Sequence, residues 1–436
     1  MQQPSKIFPI SSTISSEGTL IISGCDSIDL VRNFGTPLYV FSEEDIREKC
    51  REFLAEFNRN NNPTNVVFAG KSLLNVSVLK IVAQEGLGLD TVSGGELEIA
   101  AAADFPMERV YLHGNNKSDA ELDLALEKKV GRIVIDNPVE LVSLNRLAAA
   151  KNARPKVLFR IRPGIDPHTH AKISTGNIDS KFGFSLEEAK AAVPQAMGLG
   201  NIELIGFHYH IGSQIFEVQP FLDAMTTTLE FISEIKRLYG FITEELDAGG
   251  GYAVQYLSNQ EPPKVRVYAD AILSHFDEEC RRLEIIPPKL TIEPGRGLIA
   301  RSAVAFYTIG VIKKIPDIRN YVCVDGGMAD NIRPSLYGSE YEPYLANRMN
   351  ETSDILYTVA GRYCESGDML ATDIKLPMVK SGDILVMPVC GAYCLPMASN
   401  YNGSLRPAVV MVNKGKAKLI RRREVMADLL RFDILS

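Results

Sequence analysis

The chain has no basic stripe. Its 47 Lys and Arg stand against 54 Asp and Glu, for a formal net charge of -7, and the one basic run, Arg421 to Arg423, is followed at once by Glu424. Phosphate-backbone recognition needs clustered positive charge, so no nucleic-acid partner is expected. A long apolar run is missing too: the opening MQQPSKIFPISSTISSEG carries no continuous hydrophobic segment behind a basic start, so neither a secretory signal nor a membrane span is expected. Seven scattered cysteines form no CxxC pair and no framework spacing. That pattern implies free thiols in a reducing compartment, the cytoplasm by default. Internal repeats, low-complexity tracts and long linkers are also absent.

What is present is enough chain for two domains. At 436 residues, 45% apolar and 23% charged, the sequence is that of a globular protein too long for one ordinary core. A short strand-like run, Leu20 to Ser23, lies in a segment ending near Gly35. PLYVFS then leads into EEDIREKCREFLAEF, whose Ile46, Cys50, Phe53, Leu54 and Phe57 share one helical face.

From Asn65 the text becomes regular. Apolar runs at 65–68, 87–92, 110–113, 133–136, 157–161, 205–211, 245–247 and 289–293 alternate with helical stretches such as LLNVSVLKIVAQEG and FLDAMTTTLEFISEIKRLYG. Strict alternation implies parallel pairing, and eight such units have the size of a (β/α)8 TIM barrel. Lys71, Asp90, His113, Asp136, Arg160, His208, His210, Asp247 and Glu293 sit at or just past the C-terminal ends of those runs, where such barrels build their active sites. After Gly297 strand-like runs mostly lack helices between them. The expected architecture is therefore an α/β barrel over 36–298, with 1–35 and 299–436 forming an all-β, antiparallel domain that takes in the N-terminal strand near Ile21.

The candidate chemistry starts at Lys71, in NVVFAGKSLLN, where the next helix should begin. A lysine at a strand end is most often a solvated charge. Here it shares the barrel mouth with Gly249, Gly250 and Gly251 after the seventh run and with Glu293, Pro294, Gly295 and Arg296 after the eighth, the two loops that commonly hold phosphate in this architecture. Glycines let backbone N–H groups approach an anion, and an arginine adds charge-assisted bonds. A phosphate grip and a lysine together suggest pyridoxal 5'-phosphate, whose aldehyde needs an amine able to lose its proton. Glu293 would pair with the pyridine nitrogen, or form a salt bridge with Arg296. The alternation of His208 and His210 puts both on one face, so a metal-dependent hydrolase must be weighed, with His113, His168 and His170 as further donors. CESGD, Cys364 to Asp368, offers a thiol that could donate a proton, although a lone cysteine is more often inert.

Taken together, HIGSQ at His210, GGG at Gly249, EPGR at Glu293, CESGD at Cys364, GAY at Gly391 and SNYN at Ser399 resemble the fold-type III pyridoxal-phosphate decarboxylases from about Thr36 to about Pro407. RPSLYG at Arg333, ISTG at Ile173 and SKFG at Ser180 resemble the diaminopimelate branch. The resemblance implies that Lys71 joins the cofactor, that His210 stacks on its ring, and that Ser213, Gly251, Gly295 and Arg296 hold its phosphate side. Asp90 and Arg160 would orient lysine and cofactor, with Glu293 at the pyridinium. It further implies that Arg296, Arg333, Tyr337 and Glu365 hold the distal end of an amino-acid substrate, that Tyr393 touches cofactor and substrate, and that Cys364 is the proton donor. The implied reaction is decarboxylation of meso-2,6-diaminopimelate to L-lysine, in a homodimer whose CESGD loop enters the partner's site. One departure stands out: the family commonly reads YAxKAN around the lysine, whereas this chain has Phe68, Ala69, Gly70, Lys71, Ser72 and Leu73.

Overall fold

Residues 2–59, 63–165 and 180–434 are described in the structure, a computed structural model. His168, His170 and Ile173 of the ISTG motif lie outside them. The chain divides into two compact units, one of Lys49–Ala253 with Pro262–Leu298, the other of Met1–Glu48, Val254–Glu261 and Ile299–Ser436.

The first unit is the barrel. Its strands are β1 (Asn65–Ala69), β2 (Gly88–Thr91), β3 (Val110–Leu112), β4 (Arg132–Ile135), β5 (Lys156–Arg162), β6 (Glu203–His208), β7 (Glu245–Asp247) and β8 (Lys289–Ile292). Each pairs in parallel with the next, and β8 closes on β1 through Thr291 opposite Asn65. Val67, Tyr111, Val134, Leu158 and Ile205 form one buried layer of the interior, so the barrel is a packed core rather than a pore. At its N-terminal end a polar plug replaces hydrocarbon: Glu245 accepts from Tyr111 Oη at 2.6 Å and from Arg132 Nε at 2.9 Å. The sequence pattern gave no sign of this plug, because its members are single polar residues at strand starts.

The second unit is built on a sheet running, strand to strand, Met369–Leu376, Ile355–Ala360, Arg319–Val324, Ala303–Ile315, Leu38–Ser42, Ala408–Asn413 and Lys416–Arg421. The sheet is mixed rather than antiparallel: Arg319–Val324 runs parallel to Ile355–Ala360, and Leu38–Ser42 parallel to Ala408–Asn413. The N-terminal contribution also differs from the expected one. Leu20–Ile22 pairs within a small three-stranded sheet of its own, and it is PLYVFS that enters the large sheet, between Ala303–Phe306 and the Ala408 strand. The reason is visible in the side chains. All five residues of Leu38–Ser42 are buried, as befits a central strand covered on both faces, so the β unit claims residues beyond Thr36. The thirteen-residue strand Ala303–Ile315 is buried over its first half and exposed over its second, with a register shift between Ile309 and Ile312.

Candidate active site

Lys71 does not start a helix. It sits in a 3₁₀ turn, Gly70–Ser72, and the following helix begins at Val76 behind Asn75, whose side chain accepts the Ser77 N–H at 2.8 Å. The turn holds the lysine over the mouth of the barrel, because Ser72 Oγ donates to Ala69 O at 2.8 Å and Leu73 N to Gly70 O at 3.0 Å. All three residues that depart from the family pattern are buried: Phe68 and Leu73 are packed in the core and Ser72 closes the turn.

Lys71 Nζ lies 3.6 Å from Asp90 Oδ2. His113 Nε2 lies 3.8 Å from Asp90 Oδ1 and 2.8 Å from Glu293 Oε1, while His208 Nε2 lies 3.3 Å from Glu293 Oε2. These side chains come from the ends of β1, β2, β3, β6 and β8, and all except the lysine are buried. Their electrostatics diverge. Burial pushes the Asp90 carboxyl up, against the pull of His113 and Lys71. Burial would do the same to Glu293, but His113 and His208 outweigh it and hold that carboxyl well below its usual range. Asp247, whose Oδ1 accepts the Gly249 N–H at 2.9 Å, is driven well above its range by burial and then by Glu293. Two neighbouring carboxyls are thus split, with Glu293 the ionised one. His208 is neutral, lowered to about 3 by burial despite Glu293.

The two histidines of the HxH pattern do not work as a pair. β6 ends at His208, which faces Glu293; His210 lies beyond it, and its Nδ1 accepts the Gly250 N–H at 3.0 Å. Burial, then Lys71, holds the His210 imidazole well below its ordinary value, so the ring is neutral and meets the glycine loop through its Nδ1 edge. That loop tolerates no side chain at its centre: a Cβ on Gly250 would stand 2.2 Å from Glu293 O, and Gly249 has φ +67°. Arg296 donates from Nε and Nη2 to Ser213 Oγ at 3.2 and 3.0 Å, and Pro294 O accepts the Ala69 N–H at 3.2 Å. Gly295 is packed against Ala69 and Ser72. Arg160, whose guanidinium lies 4.3 Å from the Phe182 ring, loses some of its affinity for protons to burial, with Asp136 foremost in opposing that loss.

Behind this set is a pair that sequence reading passed over. Lys117 Nζ donates to Gly114 O at 2.7 Å and Val134 O at 2.8 Å and meets Glu140 Oε1 at 2.8 Å, with both side chains nearly sealed from solvent. Burial lowers the lysine and raises the glutamate to about 7. Its only sequence signal is Glu140 as the third residue of a helix capped by Asn137.

The other expected residues lie in the β unit. Arg333 is buried, its guanidinium 4.8 Å from the Tyr256 ring and donating to Tyr341 Oη at 2.5 Å. Cys364 is exposed, on a turn with Glu365, which removes the reading of an inert core thiol. Tyr337 ends the short helix Arg333–Tyr337, and Tyr393 holds φ +60°. All seven cysteines are free.

Residues 43–300 match the family described as pyridoxal-dependent decarboxylase, pyridoxal binding domain. The chain belongs to the pyridoxal-dependent decarboxylases. Among these decarboxylases it is 42% identical to the diaminopimelate decarboxylase of Bacillus subtilis over 96% of each chain. It is 41% identical to that of Synechocystis, over 98% of this chain and 93% of the other. A solved diaminopimelate decarboxylase of M. jannaschii in complex with L-lysine superposes with a TM-score of 0.92 at 33% identity, over 98% of both chains. By these relatives the chain falls on the diaminopimelate branch of the decarboxylases. Its barrel mouth fits the pyridoxal group that the family name implies. Both oxygens of Asp90 are buried and accept no hydrogen bond among the described residues, so an acid is kept for a cation, and the glycine loop beside Arg296 leaves backbone room for an anion. A metal reading finds four donors, since His113, His208, Asp247 and Glu293 each offer an atom within 4.8 Å of the others. It leaves the lysine, the glycine loop and Arg296 without a task.

Proposed function

We propose that the chain decarboxylates meso-2,6-diaminopimelate to L-lysine and carbon dioxide, the last step of lysine synthesis, with pyridoxal 5'-phosphate as cofactor. The observation that carries this reading is Lys71 at 3.6 Å from a buried carboxylate, Asp90, that accepts no hydrogen bond among the described residues, in the mouth that also holds Gly249 to Gly251 and Arg296. Bound there, the cofactor supplies the electron sink that lets a carboxylate leave an amino-acid carbon.

The chain's own residues do the rest. Lys71 would hold the cofactor's aldehyde end, and Asp90, 3.6 Å from its Nζ, would steady its charge. Ser213, Gly249, Gly250, Gly251, Pro294, Gly295 and Arg296 form the anion end, and Arg160 adds a further positive charge. Glu293, kept ionised by its two histidines, would serve the ring nitrogen, and the neutral His210 would pack against the ring. Cys364 returns a proton to the carbon that lost its carboxylate; a positioned thiol of this kind is worth roughly 10²–10⁴ in rate.

At the distal end the substrate carries a carboxylate beside an amine, which calls for an arginine as well as an acid. Arg333 answers the first, with its charge maintained against burial by Tyr256 and Tyr341. Glu365 answers the second, and Arg296, Tyr337 and Tyr393 complete the grip. The exposure of Cys364 and Glu365 suits delivery into the site of a second copy, so the working form is a homodimer. The free thiols suit the cytoplasm.

The deciding experiment incubates the purified, cofactor-loaded protein with meso-diaminopimelate and, separately, with ornithine. Lysine from the first alone is the expected result. Putrescine from the second at a comparable rate would move the chain to another branch of the family. A protein that binds no pyridoxal phosphate, seen as no absorbance in the visible, would overturn the reading.

A further inference from the structure

The reading of Cys364 as proton donor raises a mechanical question, because its turn is exposed and a thiol must meet a carbon within a fraction of an ångström. The structure shows how the turn is anchored. Asp368, four residues on and 2% exposed, turns its carboxylate back beneath it: Oδ2 accepts the Tyr363 N–H at 2.8 Å and Oδ1 the Met328 N–H at 2.7 Å. The Asp368 N–H in turn donates to Glu365 O at 3.0 Å, closing the turn on itself, and its carbonyl accepts the Gly361 N–H at 2.9 Å. The seat is cut to the size of this carboxylate. A Cβ on Gly361 would stand 2.1 Å from Oδ2, and one on Gly327 2.4 Å from Oδ1.

Two outer contacts join it. Ser335 Oγ, on the helix that begins at Arg333, donates to Gly367 O at 2.7 Å, and the Cys364 N–H donates to Asn402 Oδ1 at 3.1 Å. Three stretches already singled out as motifs, RPSLYG, CESGD and SNYN, are therefore bound into one assembly around a single acid.

We propose that Asp368 is a positioning residue for the reaction: its carboxylate, clamped between the Tyr363 and Met328 amides, fixes the Cys364 thiol in place and couples that place to the helix carrying Arg333. Asp368 itself touches no reacting atom. An amide cannot do its work, because Asn offers one acceptor where two N–H groups need one each.

The inference rests on the proposed role of Cys364, and the experiment separates the two. Four holoenzymes are compared: wild type, Cys364→Ala, Asp368→Asn and the double variant. We expect Asp368→Asn to lower kcat about tenfold to a hundredfold, as displacement of a catalytic group by an ångström does, with the cofactor's absorbance retained. In the Cys364→Ala background the same change should have no further effect, since both act through one thiol. A merely structural loss would multiply instead, and that outcome overturns the proposal, as does an unchanged kcat in Asp368→Asn. A Cys364→Ala enzyme with wild-type kcat would overturn the proton-donor reading and the positioning role with it. Should Asp368→Asn fail to fold, Ser335→Ala loosens the same turn from the outside; it should change the alkylation rate of Cys364 by iodoacetamide at least threefold, and an unchanged rate refutes the anchoring.

Discussion

Two buried carboxylates of the barrel mouth, Glu293 and Asp90, and two of the β unit, Asp330 and Asp368, are kept in different ways. Glu293 and Asp90 are faced by movable side chains, two imidazoles and an amine at 2.8 to 3.8 Å. Asp330 and Asp368 are faced chiefly by the backbone: Asp330 accepts the Gly327 N–H at 2.9 Å besides the Tyr307 hydroxyl at 2.5 Å, and Asp368 accepts two amides. A backbone donor arrives with the fold and stays, so the acid it meets is structurally finished. A side-chain donor can titrate, turn or be displaced by a ligand. Acids held by the backbone keep a shape, and acids held by side chains are open to chemistry.

Substitution puts that contrast to the test. The largest effect belongs to Lys71→Ala, which should cost at least ~10³-fold in turnover while the melting temperature stays close to that of the parent; residual activity near the wild-type level would remove the lysine from the chemistry. Glu293→Gln comes next, with kcat down roughly 10²-fold and thermal stability unchanged or improved. A clear loss of stability in that variant would move Glu293 into the structural class.

Lys117→Met probes the intermediate case, a buried pair whose lysine meets two backbone carbonyls and one carboxylate. Removing one partner of such a pair costs about 3 kcal/mol in unfolding free energy, measurable by urea titration. Much of that loss should return when Glu140→Gln is added. The smallest effect is one of slope. Burial raises the Asp330 carboxyl to about 7, so the folded state binds the extra proton between the ordinary carboxylate range and pH 7. Stability from this group is full below that window and is lost as pH rises through about 7. Asp330→Asn lacks that dependence, so its melting temperature should gain on the parent's between about pH 4 and about pH 8. Parallel curves would show that Asp330 is not the titrating acid.

Much of this was legible in the sequence. The alternation of apolar runs and helices gave the barrel because each run is short and helices such as Gln219–Tyr239 bury one face, and the polar residues ending the runs, Asp90, His113, His208 and Glu293, marked the mouth where they gather. Other features depend on neighbours distant in the chain. PLYVFS reads as a strand, but nothing local says that Ala303 and Ala408 will flank it. Lys117 and Glu140 each look like a solvated helix-end charge until the fold seals them together. Asp368 reads as the polar end of a turn, and only its two amide partners, Met328 and Tyr363, show what it holds.

The central place of Leu38–Ser42 in the β unit has a bearing on synthesis. The strand leaves the ribosome early, yet its neighbours at Ala303 and Ala408 follow about 260 residues or more later, tens of seconds at ordinary elongation rates. During that interval five consecutive residues that end fully buried have no sheet to enter. A nascent chain halted inside the barrel would carry them as a bare, sticky edge. Release from that state comes only when the last third of the protein is made, which places the whole molecule's solubility in the hands of its C-terminal end.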